Sequence, residues 1–258
     1  MSSVLVSHVG TLDLFALKAI GKFYGRDFLP YPFMIKQGMR FATADEATAY
    51  GNAALDRFHY GDLGIFTDCV FGYAHADIRV ECHVQYIPAD TPSVRVTAYR
   101  IGELGFFAAQ QPDADEVDIY TLSPYDLGAA VCDELALTQP GRHPRIVVPE
   151  YAPKPRAEFD AGDFDVQHTL EASSEVIIPA SEVSAYSTVQ SHWLPTRNWG
   201  FDGRKSAVVW IHIIDDGDYM YAPDFSHAVP MTKAALNLRV DELIAEDVEI
   251  LREFRRDD

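Results

Sequence analysis

The chain has 258 residues, 48% hydrophobic and 23% charged, enough apolar material for one large domain or two joined halves. Its formal net charge of −18 repels nucleic acid and anionic membrane surfaces and argues against an anionic polymer as partner. Three cysteines, Cys69, Cys82 and Cys132, make an odd number without framework spacing; that argues against a secreted disulfide scaffold and fits a reducing cytoplasm.

The opening MSSVLVSHVGTLDLF carries no basic leader followed by an apolar core, so no signal peptide is expected. No apolar run approaches the roughly 20 residues of a membrane span. Val4–Val9 reads as a short strand. Thr11 reads as the N-cap of a helix that carries Leu12, Phe15, Leu17 and Ile20 and stops at Gly25. Phe28–Phe33 is expected to be extended, because Pro30 and Pro32 restrict the residues before them. Thr43 and Glu46 form a capping box for a helix running to about Phe58 and ending near Gly61.

Four β-rich runs follow: ADIRVECHVQYI, SVRVTAYRI, LGFFAAQ and VDIYTL. Their joining loops are short and turn-like, which predicts an antiparallel sheet. Ser123 then offers a cap and Pro124 a first helical position, ahead of Leu127, Val131 and Leu135 on one face. PRIVVP adds a strand. Pro149–Asp163 is proline-rich and polar, a linker that divides the chain into halves at 1–148 and 164–258, expected to form one globular unit.

In the second half IPASEVSAYSTVQ reads as a short helix, and KSAVVWIHII, DYMYAP and HAVP as strands. MTKAALNLRVDELIAEDVEILREF is a long helix whose apolar stripe runs through Leu236, Val240, Leu243, Ile244, Val248 and Leu251. Each half runs a hairpin, a further strand and a helix announced by proline, with DEL recurring at Asp133 and Asp241. That order suggests an internal duplication. The fold class expected is α+β, around a central, largely antiparallel sheet.

One stretch looks like chemistry: WIHIIDDGDYM, Trp210–Met220, with one histidine and three aspartates. On a strand His212 and Asp216 share a face but lie about 13 Å apart at ~3.3 Å per residue, too far to share a metal ion. Asp216–Gly217 is instead a two-residue hairpin signal. It predicts an exposed turn pairing Asp215 with Asp218, Ile214 with Tyr219 and His212 with Tyr221. The alternating oxygens and closing glutamate of an EF-hand are missing.

Cys69, His75, Cys82 and His83 contain no C-x-x-C, and adjacent Cys82 and His83 face opposite ways on a strand, so zinc is not expected. No G-x-S-x-G, G-x-G-x-x-G or G-x-x-x-x-G-K motif occurs, and no catalytic residue, cofactor or metal is assigned. The acidic run Ala157–Asp165 reads as solvated linker. His192–Phe201 gathers Trp193, Trp199 and Phe201 beside a proline and an arginine: either a core-closing connection or an anchor surface for a protein partner. The long C-terminal helix is open to the same two readings, core or a groove for a partner helix.

TLDLFALKAIG followed by LPYPF, VRVTAYRIGELGFFAAQQ and VDIYTLSPYDLGAAVCDEL ending in RIVVP, and KSAVVWIHIIDDGDYMYAP with VPMTKAALNLRVDELI occur in a characteristic order and spacing. On these segments, which span most of the chain, it resembles the EspG family, cytosolic chaperones of actinobacterial type VII (ESX) secretion systems. The resemblance implies a central antiparallel sheet with helical bundles, approximate internal twofold symmetry, and neither catalysis nor cofactor. It implies binding to the tip of a PE–PPE heterodimer, through the PPE protein, by sheet and C-terminal-bundle surfaces.

The function expected is a cytoplasmic chaperone or adaptor, monomeric or weakly dimeric, for a PE–PPE pair or a similar helical secreted client. Candidate contacts are Trp193, Trp199, Leu236, Val240 and Leu243. The competing readings are an unrecognised hydrolase or metal-dependent enzyme, which needs distant histidines and carboxylates to converge, and a structural or regulatory subunit acting through protein contacts.

Overall fold

The computed structural model describes residues 4–26, 28–36, 40–88, 90–151, 175–194 and 200–257. Strand β1 (Ser7–Asp13) runs directly into helix α1 (Leu14–Phe23). The cap is Asp13, whose carboxylate accepts the amides of Phe15 and Ala16 at 3.0 Å. Thr11 and Leu12, expected in the helix, are held in the strand by pairing with Asp118 and Val117. Helix α2 (Ala44–Tyr60) opens at Thr43 as its sequence dictates. The Thr43 hydroxyl accepts the Glu46 amide at 3.2 Å, and the Glu46 carboxylate reaches back to the Ala42 amide at 2.9 Å. A 3-10 turn (Asp62–Phe66) and helix α3 (Thr67–Ala74) follow, neither announced by a side-chain cap.

Strands β2 (Ile78–Tyr86), β3 (Val94–Ile101), β4 (Leu104–Gln110) and β5 (Glu116–Leu122) form the expected antiparallel meander. Helix α4 (Leu127–Glu134) starts later than Ser123–Pro124 suggested. The Asp126 amide bonds the Ser123 carbonyl at 3.0 Å, closing a turn before the helix begins. Strands β6 (Ile146–Val147) and β7 (Val176–Ile177) are short. Of the linker expected at 149–163, residues 152–163 lie outside the described residues, as does the acidic run 157–165.

The helix expected in IPASEVSAYSTVQ does not form. A 3-10 turn at Ala180–Glu182 leads into β8 (Val183–Trp193), the longest strand described. Val183, Ala185, Ser187 and Val189 alternate with Ser184, Tyr186 and Thr188, and pairing on both edges of the strand overrides the helical reading. Strands β9 (Val208–Ile213), β10 (Gly217–Tyr221) and β11 (Ala228–Pro230) then lead to helix α5 (Lys233–Asp257).

The eleven strands of the described residues join one sheet in the order β1-β5-β4-β3-β2-β8-β9-β10-β11-β6-β7, antiparallel except at β6–β7. The class is α+β. The two halves meet where β2 pairs with β8, from Ile78 opposite Trp193 to Tyr86 opposite Ala185. On each side of that pair a meander leads to a helix, α4 or α5. This repetition is one of topology and does not by itself establish duplication.

Helices α4 and α5 cover one face, packing Leu127, Val131, Leu236, Val240 and Leu243 on Ile78, Val80, Cys82, Val189 and Trp210. Helices α1 to α3 cover the other face of the first half through Leu17, Ile20, Phe58 and Val70 against Tyr99, Phe106 and Ile119. No helix among the described residues is long and apolar enough to cross a membrane.

Candidate functional site

The hairpin that carries the aspartates has a different register from the one its Asp216–Gly217 pair predicts. Gly217 lies opposite Ile213, Asp218 opposite His212, Tyr219 opposite Ile211 and Met220 opposite Trp210. The pairings of Asp215 with Asp218, Ile214 with Tyr219 and His212 with Tyr221 do not form. Asp215, with φ of 58°, makes the turn instead. The cause lies outside the hairpin, in the segment that follows α4. A Cβ on Gly217 would lie 2.3 Å from the Gln139 carbonyl oxygen, and one on Gly141 would lie 1.9 Å from Cζ of Tyr219. Gly217 lets two backbones close to a distance no side chain would permit, and Gly141 makes room for the Tyr219 ring against the same segment.

The exposed turn expected for the aspartates is also corrected. Asp215 faces solvent, but Asp216 and Asp218 are 6% and 4% exposed. Asp216 accepts the Arg142 amide at 2.8 Å, the Arg142 Nε at 3.1 Å and the Tyr219 hydroxyl at 2.6 Å. Asp218 accepts the Thr138 amide at 2.7 Å, the Thr138 hydroxyl at 3.0 Å and His212 Nδ1 at 2.9 Å. Burial pushes the Asp216 carboxyl upward. The bonds from Tyr219 and Arg142 outweigh it and hold the group below the usual carboxylate range. Tyr219 is pushed up to about 12 by burial and by its bond to Asp216.

His212, Asp218 and Thr138 have the composition of a nucleophile relay but not its geometry. A relay places the carboxylate on one ring nitrogen and the hydroxyl on the other. Here Thr138 Oγ1, at 3.3 Å, and Asp218 Oδ1 share Nδ1. The Thr138 hydroxyl also donates to Asp218 Oδ2, so its proton is directed at the carboxylate rather than at the imidazole. The arrangement is a staple joining the 138–143 segment to the hairpin.

Cys69, His75, Cys82 and His83 are dispersed. Cys69 is buried under the α1–α3 layer, His75 is exposed after α3, and Cys82 packs under α4 and α5 while His83 faces the other way. Among the described residues no group of three or more metal-ligating side chains converges.

The residues suggested for partner contact separate into three kinds. Leu236, Val240 and Leu243 are 0%, 1% and 5% exposed; they are core and present no surface. Trp199 lies outside the described residues. Trp193 is half-buried at the end of β8, with its ring 5.6 Å from that of Phe254. Sequence reasoning passed over Phe254 and Ile250, which are 44% and 41% exposed on α5. Seven and eleven positions beyond Leu243, they continue the direction of the buried stripe into the last turns of α5, where these two side chains are exposed. The continuation of the stripe's own period to Ile250 and Phe254 was the available signal.

A second apolar surface lies between α1 and α2, where Phe15, Ala19, Phe41, Tyr50 and Leu55 line a cleft of about 460 Å³. The Arg40 guanidinium, paired with Asp13, sits 4.8 Å from the Tyr50 ring centre and 5.3 Å from that of Phe15.

No protein-family model and no curated protein matches the chain. Among solved structures the chain is similar to EspG5, a type VII secretion system chaperone of Mycobacterium tuberculosis solved in complex with a PE25–PPE41 dimer. The match has a TM-score of 0.48 and 12% identity, and covers 92% of this chain and 96% of that one. Likeness at this level assigns neither family nor partner to this chain.

Proposed function

We propose that this chain is a non-enzymatic secretion chaperone or adaptor of the cytoplasm. It binds the apolar helical tip of a PE–PPE-type client, keeps the client soluble and directs it to a type VII secretion system. The observation that carries this reading is the surface formed by Trp193, Phe254 and Ile250. Large apolar side chains stand uncovered at the end of α5, beside a strand terminus. An aromatic pair with a helical row four residues apart suits contact with a partner helix. The ordered resemblance of the sequence segments to the EspG family supports the same reading.

Covering the client tip contributes about 25 cal/mol per Å² of apolar area, before ordering costs. The net charge of −18 keeps such a complex dispersed. The His212, Asp218 and Thr138 cluster does not favour a hydrolase, because the bond from Thr138 to Asp218 works against a relay there. The test is co-expression with the PE–PPE pair of the same host. The expected result is more soluble client and one co-eluting peak on size exclusion; a client equally soluble alone, with no shared peak, removes the reading.

A further inference from the structure

The staple borders a cavity that nothing so far has used. It measures about 150 Å³ and opens between the sheet and the segment after α4. Its walls include Val84, Leu135, Ala185 and the Trp210 ring, and Tyr86, Thr138, Ser187, His212 and Asp218 line it as polar groups. The strand register places two of these together: Ser187 lies opposite Trp210 and His212 opposite Ala185, so the two are diagonal neighbours on one face of β8 and β9.

We propose that this cavity binds a single hydroxyl-bearing aromatic ring, a phenol. The size sets the first limit. Pockets for drug-sized ligands start near 300 Å³, while an apolar cavity of about 150 Å³ takes one benzene ring. The polar groups set the second. Ser187 is 0% exposed, and its hydroxyl has no hydrogen-bond partner among the described residues. A buried unpaired hydroxyl is costly, and a ligand oxygen would accept its proton. The bond from His212 Nδ1 to the Asp218 carboxylate selects the tautomer with its proton on Nδ1, in which Nε2 is an acceptor. One atom that accepts from Ser187 and donates to His212 is a hydroxyl oxygen. A carboxylate ligand would instead meet the negative charge of Asp218.

A free small phenol and the side chain of a partner's tyrosine share this chemistry. The inference rests on the cavity and is independent of the chaperone reading.

The test uses the full chain, calorimetry, and two probes of one shape, phenol and toluene. Wild type is expected to bind phenol more tightly than toluene. Ser187→Ala removes an unpaired buried hydroxyl, so the variant should fold at least as stably. It should bind phenol about five- to tenfold more weakly, the loss of one hydrogen bond, with toluene unchanged. Absence of phenol binding overturns the proposal, and so does equal binding of both probes or a Ser187→Ala variant with undiminished phenol affinity. A second titration uses N-acetyl-tyrosine amide. Its binding alongside phenol supports a tyrosine side chain as the occupant, and binding of phenol alone supports a free small molecule.

Discussion

Asp218 faces His212 directly across the β9–β10 hairpin, its carboxylate 2.9 Å from Nδ1. The same carboxylate takes both the amide and the hydroxyl of Thr138, eighty positions away in sequence. One buried charge therefore fixes a strand pair and the exit from α4 together. Asp218→Ala leaves the Thr138 amide and the His212 ring without their acceptor, and should cost about 2–4 kcal/mol. Thr138→Val keeps the amide and loses only the hydroxyl, at about 1 kcal/mol. Urea unfolding of the two variants measures the ratio. Similar losses would mean that Asp218 is not the centre of the staple.

Two apolar-to-charged substitutions on α5 should behave in opposite ways. Leu243, 5% exposed, packs in the α4–α5 core, and Leu243→Asp would bury an unpaired carboxylate. The variant should lose its far-ultraviolet dichroism or melt far below wild type. Phe254, 44% exposed, can be replaced by Asp within about 1 kcal/mol while the fold persists. On the proposed function, Phe254→Asp stays folded and loses the client on size exclusion. A folded Phe254→Asp variant that retains the client would move the contact surface elsewhere, with the α1–α2 cleft next in line.

His83 should make stability depend on pH in mildly acidic solution. Burial, helped by Arg95 opposite it on β3, pushes its imidazole down to about 4. An unfolded histidine takes its proton near pH 6.5. Between roughly pH 6.5 and 4 the unfolded chain therefore binds more protons than the folded one. The contribution is fully present above about pH 6.5 and is lost as the pH falls through this window, by at most about 3 kcal/mol. The ring is partly exposed, which reduces the loss. Urea midpoints across the window should slope downward toward acid, and His83→Gln should flatten them. An unchanged slope in His83→Gln would assign the effect to other groups. Asp216 acts at lower pH: its carboxyl is held down, so its contribution vanishes only as the pH falls through that lowered value.

What could be read from the sequence was local. The Thr43–Glu46 cap operates within one turn, and the structure places it where the spacing did. The α5 stripe through Leu236, Val240 and Leu243 is likewise periodic within its own segment, and buried as the period requires. Features set by distant partners were misread. The register at Gly217 depends on Gln139 and Gly141, and the identity of β8 depends on β2 and β9 on its two sides. Local signals in IPASEVSAYSTVQ carried no trace of those neighbours. The burial of Asp216 and Asp218 followed from the same long-range closure, so two aspartates that pattern alone placed in water are structural acceptors.

Asp247 shows what the apolar stripe conceals, and it supports a last prediction. It is 2% exposed on α5, between the partly buried Ile244 and Val248 and the core residue Leu251. Lys205 neutralises it, with Nζ 2.6 Å from Oδ1 and 2.8 Å from the Ser191 carbonyl. The second carboxylate oxygen has no hydrogen-bond partner among the described residues, so the ion pair is the main compensation for a charge removed from water. The two partners are not equivalent. Lys205 has 27% of its side chain exposed and can turn its ammonium to solvent, whereas Asp247, at 3%, cannot. Lys205→Met should therefore cost about 3–5 kcal/mol, by stranding the carboxylate. Asp247→Leu should cost less, because it adds apolar contact where α5 meets the sheet. The double variant should be more stable than Lys205→Met alone. Chemical denaturation of the three variants tests that order. Equal losses for the two single variants would show that the pair acts as an exposed salt bridge, with solvent reaching both partners.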